Sequence, residues 1–130
     1  MIQLTPEQKK LFDAKSFAHV ATINPDGSPQ VTPVWVELDG EHIVFNSEKK
    51  RKKVQNLERD PRVSISITDP ENPYHYVEVR GRVVEMTTDG AMEGIDRLAL
   101  KYMGKDKYPF HKDGDVRVVI RVAPEKASGM

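Results

Sequence analysis

The sequence has no cysteine among its 130 residues. Disulfide bonds, thiolate catalysis and redox chemistry through paired cysteines are therefore excluded. A chain of this length can bury roughly two-thirds of its unfolded surface, so it can fold without such crosslinks. We expect a single domain over residues 1–130. The absence of cysteine is compatible with a reducing cytoplasm.

The chain also lacks an excess of either charge and any long apolar run. Twenty basic residues balance twenty acidic ones, so the whole-chain charge favours neither nucleic acid nor an anionic membrane. No apolar run approaches the length that spans a bilayer, and the first ten residues lack the apolar core of a signal peptide. These patterns predict a cytoplasmic protein with no nucleic-acid and no membrane partner.

Familiar catalytic motifs are missing as well. There is no GxSxG nucleophile motif, no phosphate-binding GxxxxGK and no dinucleotide-binding GxGxxG. The four histidines are scattered without metal-ligand spacing, so no metal site is predicted. No side chain stands out as catalytic. This shortage fits an enzyme whose cofactor carries the chemistry, and it fits a binding protein equally well.

Alternating apolar residues predict six strands joined mostly by turns, together with three short helices. The predicted strands are Phe17–Ile23, Pro29–Leu38, His42–Asn46, Val63–Thr68, Tyr74–Met86 and Asp115–Val122. Asp39-Gly40 predicts a tight turn between the second and third strands, and Gly81 is expected to form a bulge or bend in the fifth. The predicted helices run from Pro6 to about Lys15, from Glu48 to about Arg59, and from Thr88 to the residues before Gly104, the glycine expected to end the helix. Thr5 and Gln8 have the spacing of a capping box for the first helix, in which Leu11 and Phe12 are expected to face inward. Antiparallel strands covered by a few helices indicate an α+β, mainly β fold built on a barrel.

Five consecutive basic residues, Lys49 to Lys53, follow Ser47 near the predicted start of the second helix. Three interpretations are open: a solvated helical face, a nucleic-acid patch, and an anion site. The neutral balance of the remaining chain disfavours the second. Basic residues in a first helical turn oppose the helix dipole, and a bound anion relieves that conflict. An anion site here depends mainly on Arg51 and Lys53.

Two further features are compatible with both a structural and a binding role. Pro33 lies within a predicted strand, which indicates an edge, a bulge or an opening, because proline donates no ladder hydrogen bond. An ordinary edge strand is the simpler interpretation, and a backbone that faces a flat ligand is the alternative. Tyr74 and Tyr76 share one strand face, where packing against a neighbouring chain is favoured over stacking on a planar ring.

Four segments carry a resemblance to a known family. His19–Val36 forms a hairpin pattern, Asn56–Ser64 reads NLERDPRVS, Tyr76–Val83 follows as a strand, and Lys101–Pro109 reads KYMGKDKYP. The first three are similar to consecutive segments of the pyridoxamine 5′-phosphate oxidase-like superfamily. The fourth resembles the branch that uses the deazaflavin coenzyme F-420. The resemblance runs in order through nearly the whole chain.

The resemblance implies a six-stranded antiparallel split β-barrel that forms a homodimer, with cofactor sites at the dimer interface. It implies a phosphate site at Asn46, Ser47, Arg51 and Lys53, and it places Lys50 among the cofactor-binding residues. It implies that the cofactor ring lies against the backbone of Thr32, Pro33 and Val34, with Tyr74 and Tyr76 near the site from the partner subunit. No residue is implied as the proton donor.

The implied activity is hydride transfer from reduced coenzyme F-420 to an unsaturated or conjugated small molecule. An FMN-dependent oxidase or reductase of the same fold, and a flavin-binding protein without turnover, are the alternatives. No segment of the 130 residues resembles the C-terminal extension that pyridoxamine phosphate oxidases use to bind substrate. The resemblance therefore favours the short branch over vitamin B6 oxidation.

Overall fold

The computed structural model describes all 130 residues, which form one curled antiparallel sheet and three helices. The strands are β1 (Ala18–Ile23), β2 (Pro29–Val34), β3 (Val36–Asp39), β4 (His42–Glu48), β5 (Arg62–Asp69), β6 (Asn72–Thr87) and β7 (Arg117–Gly129). The helices are α1 (Pro6–Asp13), α2 (Lys52–Arg59) and α3 (Ala91–Met103). The predicted α+β, mainly β fold with three short helices is confirmed. No helix among them has the length and apolarity that crossing a membrane requires.

The sheet curls because two consecutive strands lie at its opposite edges. The strand order is β2-β1-β5-β6-β7-β4-β3, and only Trp35 separates β2 from β3 in the chain. Two peptide units span about 7 Å, so the two edges must approach each other and the sheet becomes a split barrel. The prediction of six strands is therefore wrong by one. The predicted strand Pro29–Leu38 is broken at Trp35, where the chain passes from one edge to the other.

The barrel interior holds the main core, a cluster of nineteen buried apolar residues drawn from alternate strand positions. Its largest fully buried members include Phe45, Ile65 and Ile120. Burial of each such side chain contributes about 1.5–3 kcal/mol to the stability of the fold. Helix α1 adds Leu11 and Phe12 to this core, which is the inward face that the sequence predicts.

The predicted start of the second helix at Glu48 is wrong. Ser47 and Glu48 remain in β4, where they pair with Val118 and Arg117 of β7. The ladder therefore holds the chain extended for two more residues, and a turn at 49–50 separates β4 from α2. Arg51 occupies the position before the first helical residue and makes no side-chain capping hydrogen bond. The basic run consequently spans a turn and a short helix.

The last strand continues seven residues beyond its predicted end at Val122. The strand pairs with β6 from Val119 to Gly129, and the register shifts between Pro124 and Lys126, next to a proline that can donate no ladder hydrogen bond. Gly81 lies opposite this shift, and a Cβ atom there would be 2.4 Å from the carbonyl oxygen of Ala123. The close approach of the two backbones explains why glycine occupies this position.

The ends of the other two helices also differ from the predictions. Helix α1 ends at Asp13 and not near Lys15, and α3 begins at Ala91 and not at Thr88. Gly90, with φ 73°, precedes α3, so the chain turns through the left-handed region before the helix begins. The glycine predicted to end this helix, Gly104, has φ 70°, and its N–H donates to the carbonyls of Ala99 and Leu100.

Candidate functional site

A cleft of about 440 Å³ lies between the β2 edge, the start of α2 and the segment that follows α3. This volume falls within the range of about 300–1,000 Å³ that small-molecule sites occupy. One part of its lining is the sheet edge, one part is aromatic, and one end is polar. The lining residues are Thr32, Pro33, Val34, Phe17, Trp35, Tyr108, Phe110, Asn46, Ser47, Glu48, Arg51, Lys53, Ile95 and Arg117.

The polar end holds three cations and one carboxylate. Arg51, Lys53 and Arg117 line the cleft, and none of them takes part in an ion pair within the chain. Burial lowers the pKa of Lys53 below its ordinary value, and the neighbouring charges of Arg51 and Arg117 lower it further. Burial likewise lowers the pKa of Arg117. A partly desolvated cluster of like charges favours binding of an anion.

The single carboxylate in this cleft, Glu48, is occupied by backbone groups. One of its oxygens accepts a hydrogen bond from the N–H of Lys50 at 2.6 Å, and the other accepts from the N–H of Val116 at 3.2 Å. These bonds fasten the basic turn to the segment that enters β7. The Glu48 carboxylate therefore links the turn at 49–50 to the residue before β7, and it forms no ion pair with the three cations.

The sheet-edge part of the cleft comes from β2, which pairs only with β1. Pro33 thus lies on an edge strand, in register with His19, which agrees with the simpler interpretation of this proline. The hydroxyl oxygen of Thr32 is buried and has no hydrogen-bond partner. A buried hydroxyl without a partner carries a desolvation cost of about 1–3 kcal/mol, which a polar atom of a ligand can offset.

The aromatic part is built around Trp35, the residue that joins the two sheet edges. Its ring is stacked on that of Tyr102, with centroids 5.4 Å apart, and Tyr102 is stacked on Phe17 at 5.8 Å. Tyr108 meets Trp35 edge-on at 6.0 Å, and Phe110 meets Tyr108 at 5.6 Å. Such an arrangement offers flat apolar surface to a planar ligand.

Two residues of α3 hold Trp35 in this position from behind. The hydroxyl of Tyr102 donates to the carbonyl of Ser16 at 2.7 Å and accepts from the N–H of Val36 at 3.2 Å. The ammonium group of Lys101 donates to the carbonyls of Phe12 and Val36, at 2.6 and 2.7 Å. Burial raises the pKa of Tyr102 and lowers that of Lys101. Both groups anchor the backbone on the C-terminal side of Trp35.

The structure brings most of the site residues expected from the sequence into this one cleft. Those in its lining are Thr32, Pro33, Val34, Asn46, Ser47, Arg51 and Lys53. Lys50 is exposed in the turn and does not line the cleft. Tyr74 and Tyr76 also lie outside it, at the start of β6, with 77% and 38% of their surfaces exposed.

Several cleft residues were not expected from the sequence as site residues, namely Phe17, Trp35, Glu48, Ile95, Tyr108, Phe110 and Arg117. Arg117 reaches the cleft because β7 pairs with β4 in a register that places it opposite Glu48. No local sequence pattern contains that register. The structure gathers no group of three or more His, Cys, Asp or Glu side chains suited to a metal ion.

Comparison with known families decides where this chain belongs. The family model described as pyridoxamine 5′-phosphate oxidase matches residues 4–130. The chain belongs to this family. The cleft therefore lies in a split-barrel member of the pyridoxamine 5′-phosphate oxidase family. No curated protein sequence gives a significant match.

Solved structures of similar proteins share this fold. A protein named F420 reductase is 35% identical to this family member, with a TM-score of 0.84, and the alignment covers 96% of this chain and 98% of the other. A conserved hypothetical protein from Mycobacterium tuberculosis is 23% identical, with a TM-score of 0.73 and coverage of 98% and 84%. General Stress Protein 26 from Bacillus anthracis is 14% identical, with a TM-score of 0.69 and coverage of 93% and 88%. The last two show the fold alone.

Proposed function

We propose that this protein is an oxidoreductase that binds coenzyme F-420 in the cleft and reduces an unsaturated or conjugated small molecule. The observation that carries the proposal is the polar end of the cleft, where Arg51 and Lys53 form no ion pair. This end lies next to the aromatic wall formed by Trp35, Tyr108 and Phe110. The 35% identity to a protein named F420 reductase, over 96% of the chain, supports the same cofactor.

The residues of the cleft fit a cofactor that combines a flat ring with a phosphate group. Arg51, Lys53 and Ser47 lie together at the polar end and supply cations and a hydroxyl for the phosphate. The edge of β2 supplies the unpartnered hydroxyl of Thr32 and backbone groups that no second strand covers. When bound, the reduced deazaflavin supplies a hydride. The protein's contribution is to bind and orient the ring and to shield it with the aromatic wall.

Positive charge around the polar end favours coenzyme F-420 over FMN. FMN ends in a single phosphate, whereas coenzyme F-420 extends beyond its phosphate into an acidic tail. Lys49 and Lys50 are exposed in the turn before α2. The lysine-containing loop 105–112 lies beside the cleft, because Tyr108 and Phe110 line it. These lysines can attract the tail without contacting the phosphate, and this attraction should weaken as salt rises.

We further propose that the protein acts as a homodimer whose interface includes Tyr74 and Tyr76. Both rings are exposed on β6, and Val31 on the edge strand β2 is exposed over 57% of its surface. Exposed aromatic side chains of this kind are enriched in interfaces between subunits. A cytoplasmic location and the absence of nucleic-acid binding stay predictions.

The test is a titration of the purified protein with coenzyme F-420 and with FMN, followed by turnover assays with the reduced form of the tighter ligand. We expect a colourless protein from a host that lacks coenzyme F-420, and tighter binding of F-420 than of FMN. A yellow protein with stoichiometric FMN would instead establish the FMN-dependent alternative. Binding of F-420 without turnover of any unsaturated acceptor would indicate a carrier.

A further inference from the structure

Arg117 is held in a fixed position at the polar end of the cleft. Its Nε–H donates to Oδ1 of Asn46 at 2.9 Å, and Nδ2 of Asn46 donates in turn to the carbonyl of Ala91 at 2.8 Å. The guanidinium carbon lies 5.1 Å from the ring centroid of Tyr108, which is a cation–π distance. The side-chain amide of Asn46 and the ring of Tyr108 thus both hold the Arg117 guanidinium in place.

Arg121, on the same strand as Arg117, differs from it in having carboxylate partners. Arg121 donates to Asp39 at 2.5 Å and to Glu85 at 3.1 Å, so two carboxylates balance its charge. Arg117 has a neutral amide and a neutral ring as partners and takes part in no ion pair. Its terminal nitrogens are left without a carboxylate partner in a cleft that already contains Arg51 and Lys53.

From this arrangement we propose that Arg117 is a third anion-binding residue of the cleft and that Tyr108 is its positioning residue. The proposal rests on the proposed function and extends it to a residue of β7, opposite Glu48 of β4. The fixed fork of a guanidinium group suits two oxygens of one phosphate group. Tyr108 also belongs to the aromatic part of the cleft, so its ring contacts both Arg117 and Trp35.

Tyr108 is itself fixed to the body of the protein. Its N–H donates to Oδ1 of Asp96 on α3 at 2.8 Å, and its ring contacts Trp35 edge-on. Trp35 is the only tryptophan of the chain, so its fluorescence reports on this contact. An anion bound by Arg117 changes the charge next to the Tyr108 ring, whose centroid lies 6.0 Å from that of Trp35.

The experiment measures binding of inorganic pyrophosphate to the purified protein by calorimetry and by Trp35 fluorescence. Arg117→Met keeps an apolar stem and removes the charge, and we expect binding to weaken at least about tenfold. The matched control is Arg82→Met, which makes the same charge change at an exposed arginine of β6 that does not line the cleft. We expect this control to bind pyrophosphate like the wild type.

The role of Tyr108 is tested by two substitutions that differ only in the ring. Tyr108→Phe keeps the face that Arg117 contacts, and we expect binding close to that of the wild type. Tyr108→Leu removes the face, and we expect weaker binding of pyrophosphate than in Tyr108→Phe. Thermal unfolding of both variants shows whether weaker binding comes from a displaced Arg117 side chain or from a destabilised fold.

The outcomes distinguish this proposal from the proposed function. If Arg51→Met and Lys53→Met weaken pyrophosphate binding while Arg117→Met does not, the proposal for Arg117 is overturned and the phosphate site stands. If none of the three variants changes binding, the cleft is not an anion site and both proposals fail. If Tyr108→Phe and Tyr108→Leu bind equally well, Tyr108 does not position Arg117.

Discussion

Replacing Lys53 with methionine should weaken anion binding and, in the same protein, raise the stability of the ligand-free fold. Lys53 is the second residue of α2, and its charge lies near the positive end of the helix dipole. It is partly buried, and burial together with Arg51 and Arg117 lowers its pKa. Methionine keeps the apolar stem and has a similar helix propensity, so the substitution removes mainly the charge.

The two effects have different sizes and opposite directions. A hydrogen bond to a charged group contributes about 1.5–3 kcal/mol, so loss of Lys53 should weaken phosphate binding about ten- to hundredfold. Removal of a cation from the first helical turn relieves about 0.3–1 kcal/mol. For a domain of this size, that gain should raise Tm by about 1–4 °C.

The same substitution should change how stability depends on pH. The folded state lowers the pKa of Lys53 below its ordinary 10.5, so the unfolded state binds more protons in the pH range just below that value. The free energy of unfolding of the ligand-free wild type should therefore gain a contribution from Lys53 as pH rises through that range. Lys53→Met lacks this contribution, and its pH profile should be flatter there.

The assay combines calorimetric titration with FMN, which carries a phosphate but no acidic tail, and thermal unfolding without ligand. Lys52→Met is the control, because Lys52 is the first residue of the same helix, is exposed and does not line the cleft. We expect it to bind FMN normally. Equal losses of binding in both variants would contradict a specific role for Lys53 and would indicate a general basic surface. A lower Tm for Lys53→Met would contradict the expected rise in stability.

Three further predictions concern assembly, acid stability and backbone packing. Light scattering at micromolar concentration should show a dimer, and Tyr76→Arg should shift it toward monomer; a monomeric wild type would contradict the proposed interface. Side-chain and backbone hydrogen bonds from Arg62 lower the pKa of Asp60 to about 2 from 3.8. The contribution of Asp60 to stability should therefore be lost as pH falls through about 2, and Asp60→Asn should flatten the free energy of unfolding between pH 4 and 2. Gly81→Ala forces a Cβ atom against the carbonyl oxygen of Ala123 and should cost about 1–3 kcal/mol in denaturant unfolding, whereas an unchanged midpoint would show that the two backbones separate easily.

Local patterns predicted the parts of the fold that depend on local chemistry. The capping box of Thr5 and Gln8 is present at the start of α1, with hydrogen bonds of 3.2 and 2.9 Å. Asp39 and His42 flank the tight turn that the Asp39-Gly40 pair predicts. Each of these features depends on residues within three or four positions of one another, so the sequence alone was sufficient to identify them.

The break at Trp35 and the role of Arg117 depend on contacts that are distant in the chain. An extended segment looks the same in sequence whether it stays in one strand or passes between two sheet edges, and only closure of the barrel distinguishes them. Arg117 reaches the cleft through the register of β7 against β4, across a separation of about seventy residues. Thr32 was expected from the resemblance and Lys53 from the basic run as well, but the unpartnered hydroxyl of Thr32 and the lowered pKa of Lys53 follow from packing.

The most direct test of the proposed function is the dissociation constant of the protein for coenzyme F-420 and for FMN, each measured at low and at physiological salt. We expect tighter binding of coenzyme F-420 than of FMN at both salt concentrations, with part of the difference lost as salt screens the exposed lysines near the cleft. Tighter binding of FMN at both concentrations would contradict the assignment of the cofactor and leave the split barrel and its cationic cleft in place.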